Sequence, residues 1–202
     1  MRMFAAALVA VFSFGLMQAP LASAQSAVDG ARETLPEAEP KTRAEQLDEL
    51  FETLAAAESA EEAKAAEHGI VRLWLESGSD TVDLLMDWTL TAMDDEDYPR
   101  ALDLLDRIIT LEPGYVEGWN KRATIHFLND DYAKSLADLE QVLAIEPRHF
   151  GALAGLGTIL RELGDERLAL DAYREALALY PVMDDVQKAI EDLEAESVGS
   201  RT

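Results

Sequence analysis

The sequence predicts an all-α fold, a solenoid of antiparallel helix pairs, and three observations carry that prediction. Pro113, Pro147 and Pro181 recur at a spacing of 34 residues. Each follows an apolar run at helical spacing: Leu105, Ile108, Ile109 and Leu111, then Leu139, Val142, Leu143 and Ile145, then Tyr173, Leu177 and Leu179. Small residues recur in the same phase at Ala101, Ser135 and Ala169, where one helix can approach another closely. A recurrence of this length marks a helix–turn–helix unit that buries its apolar face only by stacking on its neighbours.

The first residues do not belong to that pattern. Arg2 supplies a positive start, Met3 to Leu16 is almost continuously apolar, and Ala22-Ser23-Ala24 offers small residues for cleavage before Gln25. That order predicts an export signal over 1–24, with no membrane insertion after cleavage and a periplasmic or secreted location. An uncleaved anchor is the alternative, but the apolar run is short for a span. Residues 25–42 are rich in Ala, Glu and Pro, with Pro36 and Pro40, and read as an acidic linker.

Helical periodicity begins near Arg43. Leu47, Leu50, Phe51 and Leu54 form one stripe of an amphipathic helix. Ser59 can cap a second helix, with Glu62 at the capping-box position, that carries Ala63, Ala66, Ile70, Leu73 and Trp74 and stops at Ser77-Gly78. This pair over 43–81 reads as a degenerate first repeat or as a dedicated N-terminal cap. Three 34-residue units then cover 82–183. The second helix of each opens after an acid, Asp97, Asp131 or Asp165, which can accept from free backbone N–H groups. After Pro181, Asp184 or Asp185 can cap a last helix over 184–197, apolar on one face through Val186, Ile190 and Leu193 and acidic on the other, with a frayed tail at 198–202.

At 202 residues and 49% hydrophobic, the chain suits one sizeable helical domain. It carries 40 Asp and Glu against 17 Lys and Arg, a net charge of −23, and signal cleavage would remove one further positive charge. Such a field repels nucleic acid and anionic lipid and favours a basic partner or simple solubility, with most of the carboxylates on solvated helix faces. Cysteine is absent, which excludes disulfides and a lipid anchor on a terminal thiol.

The three units resemble the tetratricopeptide repeat (TPR) family. The third matches best, through Leu153, Leu156-Gly157, Leu160, Ala169, Tyr173, Ala176 and Pro181. The second offers Trp119, Ala123, Ser135, Leu139 and Pro147 but has Arg122 where a small or medium apolar residue is expected and His126 where Tyr is usual. The first keeps Leu85, Ala101, Leu105 and Pro113, with Trp88-Thr89 at the close-packing site. More narrowly, Trp119 to Ala123 (Trp-Asn-Lys-Arg-Ala) and Glu146 to Phe150 (Glu-Pro-Arg-His-Phe) resemble stretches in small exported proteobacterial TPR proteins.

The resemblance implies a right-handed superhelix whose first helices line a concave, peptide-binding groove. Carried onto this chain, the groove candidates are Asp83, Met86 and Leu90, then Glu117, Asn120, Lys121, Thr124 and Phe127, then Gly151, Ala154, Gly155, Thr158 and Arg161. Met86, Leu90 and Phe127 would give apolar contact, Asn120 would pair with a peptide backbone, and Lys121 and Arg161 would meet acids. One subclass of the family clamps a chain-terminal carboxylate with Lys, Asn and Arg. Here Met86, Leu90, Lys121, Gly151 and Gly155 stand at those places, so that clamp is missing.

Other chemistry has little basis in the sequence. Asp94 to Asp97 and Asn129 to Asp131 read as inter-helix turns, because no calcium-loop pattern with its central Gly and distant Glu surrounds them. His68, His126 and His149 lack metal-ligand spacing, with His149 in a turn. Trp74, Trp88 and Trp119 read as core residues on apolar helix faces. No catalytic residue, cofactor or metal is expected. The reading is a non-enzymatic protein- or peptide-binding scaffold of the cell envelope. The alternatives are a self-associating, homo-oligomeric repeat array and an accessory subunit of an envelope enzyme or transport complex.

Overall fold

A computed structural model describes residues 40–199, with side chains through Glu196. The expected leader at 1–24, nearly all of the linker and the end of the tail lie outside the described residues. Nine helices follow one another among those described: α1 (Arg43–Ala56), α2 (Ala60–Leu75), α3 (Asp80–Asp94), α4 (Tyr98–Leu111), α5 (Val116–Leu128), α6 (Tyr132–Ile145), α7 (Phe150–Glu162), α8 (Glu166–Leu179) and α9 (Asp184–Gly199). No strand occurs among them, and the architecture is an all-α helical repeat solenoid.

The repeat is built from small recurring devices. Helices α4, α6 and α8 end at Leu111, Ile145 and Leu179, just ahead of the three prolines. Within each unit the first helix ends in a turn whose central residue is left-handed: Glu96 and Asp130 with φ 57°, Gly164 with φ 81°. The amide after it reaches back to close the turn, Asp97 to the Ala92 carbonyl, Asp131 to His126 and Asp165 to Leu160. Asp97 and Asp165 then cap the second helix by accepting from the amides of Arg100 and Leu168. Asp131 differs: its carboxylate takes the Lys134 ammonium at 2.5 Å and makes no cap hydrogen bond.

Close packing within the pairs follows the small residues. Ser135 is fully buried and its hydroxyl donates to the Ala123 carbonyl at 2.7 Å. A Cβ on Gly157 would come within 2.5 Å of the Tyr173 ring, so the third unit pairs the smallest residue with a large aromatic. The same positions hold Ala123 with Leu139 and Thr89 with Leu105 in the other units, all buried. Arg122, the residue that breaks the apolar pattern, ties two units together. It grips buried Asp138 through two hydrogen bonds of 2.9 and 2.7 Å and reaches Asp106 on α4 at 2.7 Å.

The N-terminal pair departs from a first repeat. Helices α4 and α5, α6 and α7, and α8 and α9 pack consecutively, but α2 makes no comparable interface with α3. Instead α1 packs on α8, and α2 on α5. The pair lies across the inter-repeat turns, where Phe51 and Trp74 surround Phe150, and Phe150 meets Tyr180 edge-on at 5.4 Å. Arg148 bonds Asp48 at 2.7 Å and lies over the Phe51 ring, Tyr180 donates to Glu67 at 3.0 Å, and Tyr115 donates to the Leu75 carbonyl at 2.8 Å. The reason is local: large aromatics sit at the starts and ends of the repeat helices, and a helix pair with Phe51, Ile70 and Trp74 buries them.

Helix α1 starts at Arg43, and Thr42, the last residue of the expected linker, forms a reciprocal capping box with Glu45. Ser59 caps α2 through the Glu62 amide, while the Glu62 carboxylate accepts from Glu58 rather than from Ser59, so the second expected box is not reciprocal. Helix α9 continues through Gly199, beyond the expected end at 197. Trp88, expected in the core, is 48% exposed, and Trp119 is half-buried with its indole N–H on the Pro113 carbonyl.

Candidate functional site

Two first helices, α5 and α7, frame a cleft of about 170 Å³ on the face predicted to be concave. Asn120, Thr124 and Phe127 project from α5, and Gly151, Gly155 and Thr158 from α7, with Ala123, Ser135, Leu139 and Ile159 forming the floor. Helical spacing explains the convergence: these positions lie three or four residues apart, on one face of each helix. Gly155 keeps the cleft open, since a Cβ there would find its nearest neighbour, Leu139, only at 3.9 Å.

The hydroxyls are oriented by their own helices. Thr124 donates to the Asn120 carbonyl at 3.0 Å and Thr158 to that of Ala154 at 3.0 Å, so each presents its lone pairs to the cleft or to a neighbour. The Tyr173 hydroxyl uses one of them, lying 3.2 Å from Thr158 Oγ1. The Asn120 amide nitrogen lies 3.2 and 3.1 Å from the two Glu117 oxygens, which turns its carbonyl oxygen away from that pair.

The remaining sequence candidates do not enter this cleft. Met86, expected on the groove, is instead 2% exposed and packs with Val82, Leu105 and Ile108, because its side of α3 faces α4. Leu90 packs against that same core. Asp83 accepts from the Ser77 amide and hydroxyl at 2.9 and 2.5 Å and so organises the turn before α3. Ala154 packs toward Ala169 and Tyr173, and Arg161 pairs with Glu196 of α9 at 3.5 Å.

Glu117 has moved furthest from its expected place. It is 2% exposed, beneath the N-terminal pair, and bonds His149 at 3.0 Å and Lys121 at 3.2 Å. The Lys121 ammonium is thereby committed to Glu117 rather than offered to a ligand. Burial alone would raise the Glu117 carboxyl, but the His149 hydrogen bond and the Lys121 charge overcome it and hold the group at about 2. His149 Nδ1 accepts from the Ala152 amide at 3.0 Å, so its proton sits on Nε2 and is donated to Glu117. The imidazole stacks on Trp74, 4.1 Å between centroids and 8° from parallel.

Sequence reasoning placed His149 in a turn and Glu117 in the groove, and missed that they meet. It also missed the Arg122 pairs, although Asp106 and Asp138 lie sixteen residues to either side of it, about the step from one helix to the next along the chain. Both stretches that carried the narrower resemblance have structural roles, and Asn120 lines the cleft besides. Arg148, His149 and Phe150 dock the N-terminal pair, while Asn120 and Lys121 secure Glu117.

Among the described residues no group of three or more His, Asp or Glu could hold a metal ion, and no helix is long and apolar enough to cross a membrane. The family profile described as tetratricopeptide repeat matches residues 116–181. A TPR repeat-containing protein of Rhizobium etli is 42% identical over 163 residues, covering 81% of this chain and 78% of that one. Among solved structures, the Sgt2 TPR domain of Aspergillus fumigatus is similar with a TM-score of 0.56 at 19% identity, over 61% of this chain and 83% of that domain. The first TPR domain of Spaghetti (RPAP3), solved with the HSP90 peptide SRMEEVD, also gives 0.56, at 16% identity and over 58% and 93% of the two chains. The periodic turns, the paired helices and the relative at 42% identity agree: this chain belongs to the tetratricopeptide repeat proteins.

Proposed function

We propose that the chain is a non-enzymatic scaffold of the cell envelope that holds a peptide segment of another protein in the cleft between α5 and α7. One observation carries the reading: residues from two successive units converge on a recess that mixes an amide, three hydroxyls, an aromatic edge and two glycines. Such a lining suits a peptide main chain, with Asn120 accepting from its N–H groups and Phe127 covering an apolar side chain. The hydroxyls that line it already donate to helix carbonyls, an arrangement that serves recognition rather than nucleophilic attack. A domain of the same fold was captured with a peptide, which makes a peptide the class of occupant to test first. No basic pair stands at Gly151 and Gly155, so the ligand need not end in a carboxylate there. The net charge of −23 favours a basic segment, and the apolar run with its Ala-Ser-Ala site supports export.

The test is comparative capture from an envelope extract with the wild-type chain and with Gly155→Trp, which fills the cleft. Partners identified by mass spectrometry that are held by the wild type and lost by the variant are the expected result. Capture that does not depend on Gly155, or no partner at all, overturns the reading. Export is checked separately by the intact mass of the protein in the periplasmic fraction, which should begin at Gln25. A full-length product confined to the cytosol would overturn it.

A further inference from the structure

The 34-residue register shows what should cover each first helix. On α5, Gly118 lies against α4, where an added Cβ would meet Ile108 at 3.0 Å and Ile109 at 3.4 Å. Four residues later, Arg122 reaches Asp106 on the same helix. On α7 the equivalent positions are Ala152, fully buried, and Leu156, half-buried against the core that holds Leu139 and Val142 of α6. On both α5 and α7, therefore, the preceding second helix packs at these two places, burying the first and part-burying the second. On α3 they are occupied by Leu84 and Trp88, and each is 48% exposed. The helix that would cover them is α2, but α2 has gone to the inter-repeat turns and packs on α5.

We propose that this face of α3 is a second docking site, distinct from the cleft, which receives an amphipathic helix with basic flanks from another protein. The shape of the occupant follows from the helices that fill the equivalent places. They present large aliphatic residues three and four apart, as Leu105, Ile108 and Ile109 do on α4. Its charge follows from the rim. Helix α3 carries Asp80, Asp83, Asp87 and Asp94 and neither Lys nor Arg, and Asp80 and Asp87 fall on the same side as Leu84. On α5 the matching position is cationic Arg122, which donates to Asp106 opposite; on α3 it is Trp88, on a helix whose charged residues are all acidic. A second copy of this chain would bring −23 of its own and the same aspartates to that rim, so it is the poorer fit.

The probe is the Tyr98–Leu111 segment made as a stapled helix, since that helix covers the equivalent face of α5. It is prepared unchanged and with Asp103→Lys and Asp106→Lys, labelled, and titrated with the full chain by fluorescence anisotropy. The lysine form should bind about tenfold or more tightly than the unchanged form, and increasing salt should narrow the gap. Trp88→Asp should weaken that binding by about tenfold or more, whereas Gly155→Trp should leave it unchanged, which separates this face from the cleft. No binding of the lysine form, or binding indifferent to Trp88→Asp, overturns the proposal. So does a wild-type dimer in sedimentation that Trp88→Asp dissociates, which would assign the face to a second copy. Acrylamide quenching that finds Trp88 already shielded in the unliganded full chain, by difference from Trp88→Phe, would assign it to the chain's own N-terminal residues and would also overturn it.

Discussion

At the scale of single residues, the sharpest constraint is the contact between Gly157 and the Tyr173 ring. Gly157→Ala should cost roughly 1–3 kcal/mol in chemical denaturation, because the added methyl can be accommodated only by moving a packed ring. Adding Tyr173→Leu should recover much of that loss, since it recreates the Ala123–Leu139 pairing of the preceding unit. Glu117 supplies the second residue-scale prediction. Its folded carboxyl is held at about 2, below the usual value of 4.5, so its stabilising contribution is complete above pH 4.5 and is lost as pH falls toward 2. Glu117→Gln should therefore lower Tm at neutral pH, and the gap to wild type should close on acidification through that window. A gap that stayed constant would show that the carboxylate charge is not the source. The Glu117–His149 contact itself was not legible in the sequence. Neither residue interrupts an apolar period in a way that points at the other, and the pair depends on how an adjacent helix pair folds over both.

Among the elements, the turns inside each unit show how far the repeat was legible. The aspartates at 97, 131 and 165 recur visibly, and the structure puts each at a helix start. Periodicity could not show that Asp131 would turn to Lys134, a choice between two nearby donors. The left-handed residues recur as well, but only Gly164 suits that backbone without strain, while Glu96 and Asp130 carry a Cβ there. Glu96→Gly should stabilise the protein by about 0.5–1 kcal/mol, read from the denaturation midpoint, with no change in helix content. The N-terminal pair was legible as two helices and not as a brace, because amphipathic stripes report that a face is buried and never against what. Trp74 joins that brace to His149 and Phe150. Trp74→Ala should remove roughly 3–5 kcal/mol from the interface. Hydrogen exchange should then quicken across α1 and α2 while α5 to α8 keep their protection. Equal loss everywhere would mean that the brace and the stack unfold as one.

For the whole molecule, charge sets the solution behaviour. With 40 acids against 17 Lys and Arg, self-repulsion outweighs the exposed ion pairs, such as Arg167–Asp171, Arg174–Glu194 and Lys188–Asp192. Raising sodium chloride from about 0.05 to about 0.5 M should therefore raise Tm by roughly 2–4 °C in scanning fluorimetry. A fall would mean that the ion pairs outweigh the repulsion. The brace has a mechanical consequence as well. A simple stack of repeats touches only its neighbours and stretches like an open spring, each unit adding its own compliance. Here Arg148 meets Asp48 across 100 residues of chain, and Tyr180 meets Glu67 across 113. Together with the Tyr115 hydroxyl on the Leu75 carbonyl, those contacts clasp the coil along one edge, over the turns of all three units. Pitch changes that would widen the cleft between α5 and α7 must strain the clasp, so the cleft keeps a nearly fixed gauge and the chain gives up the elasticity that longer arrays of such repeats possess.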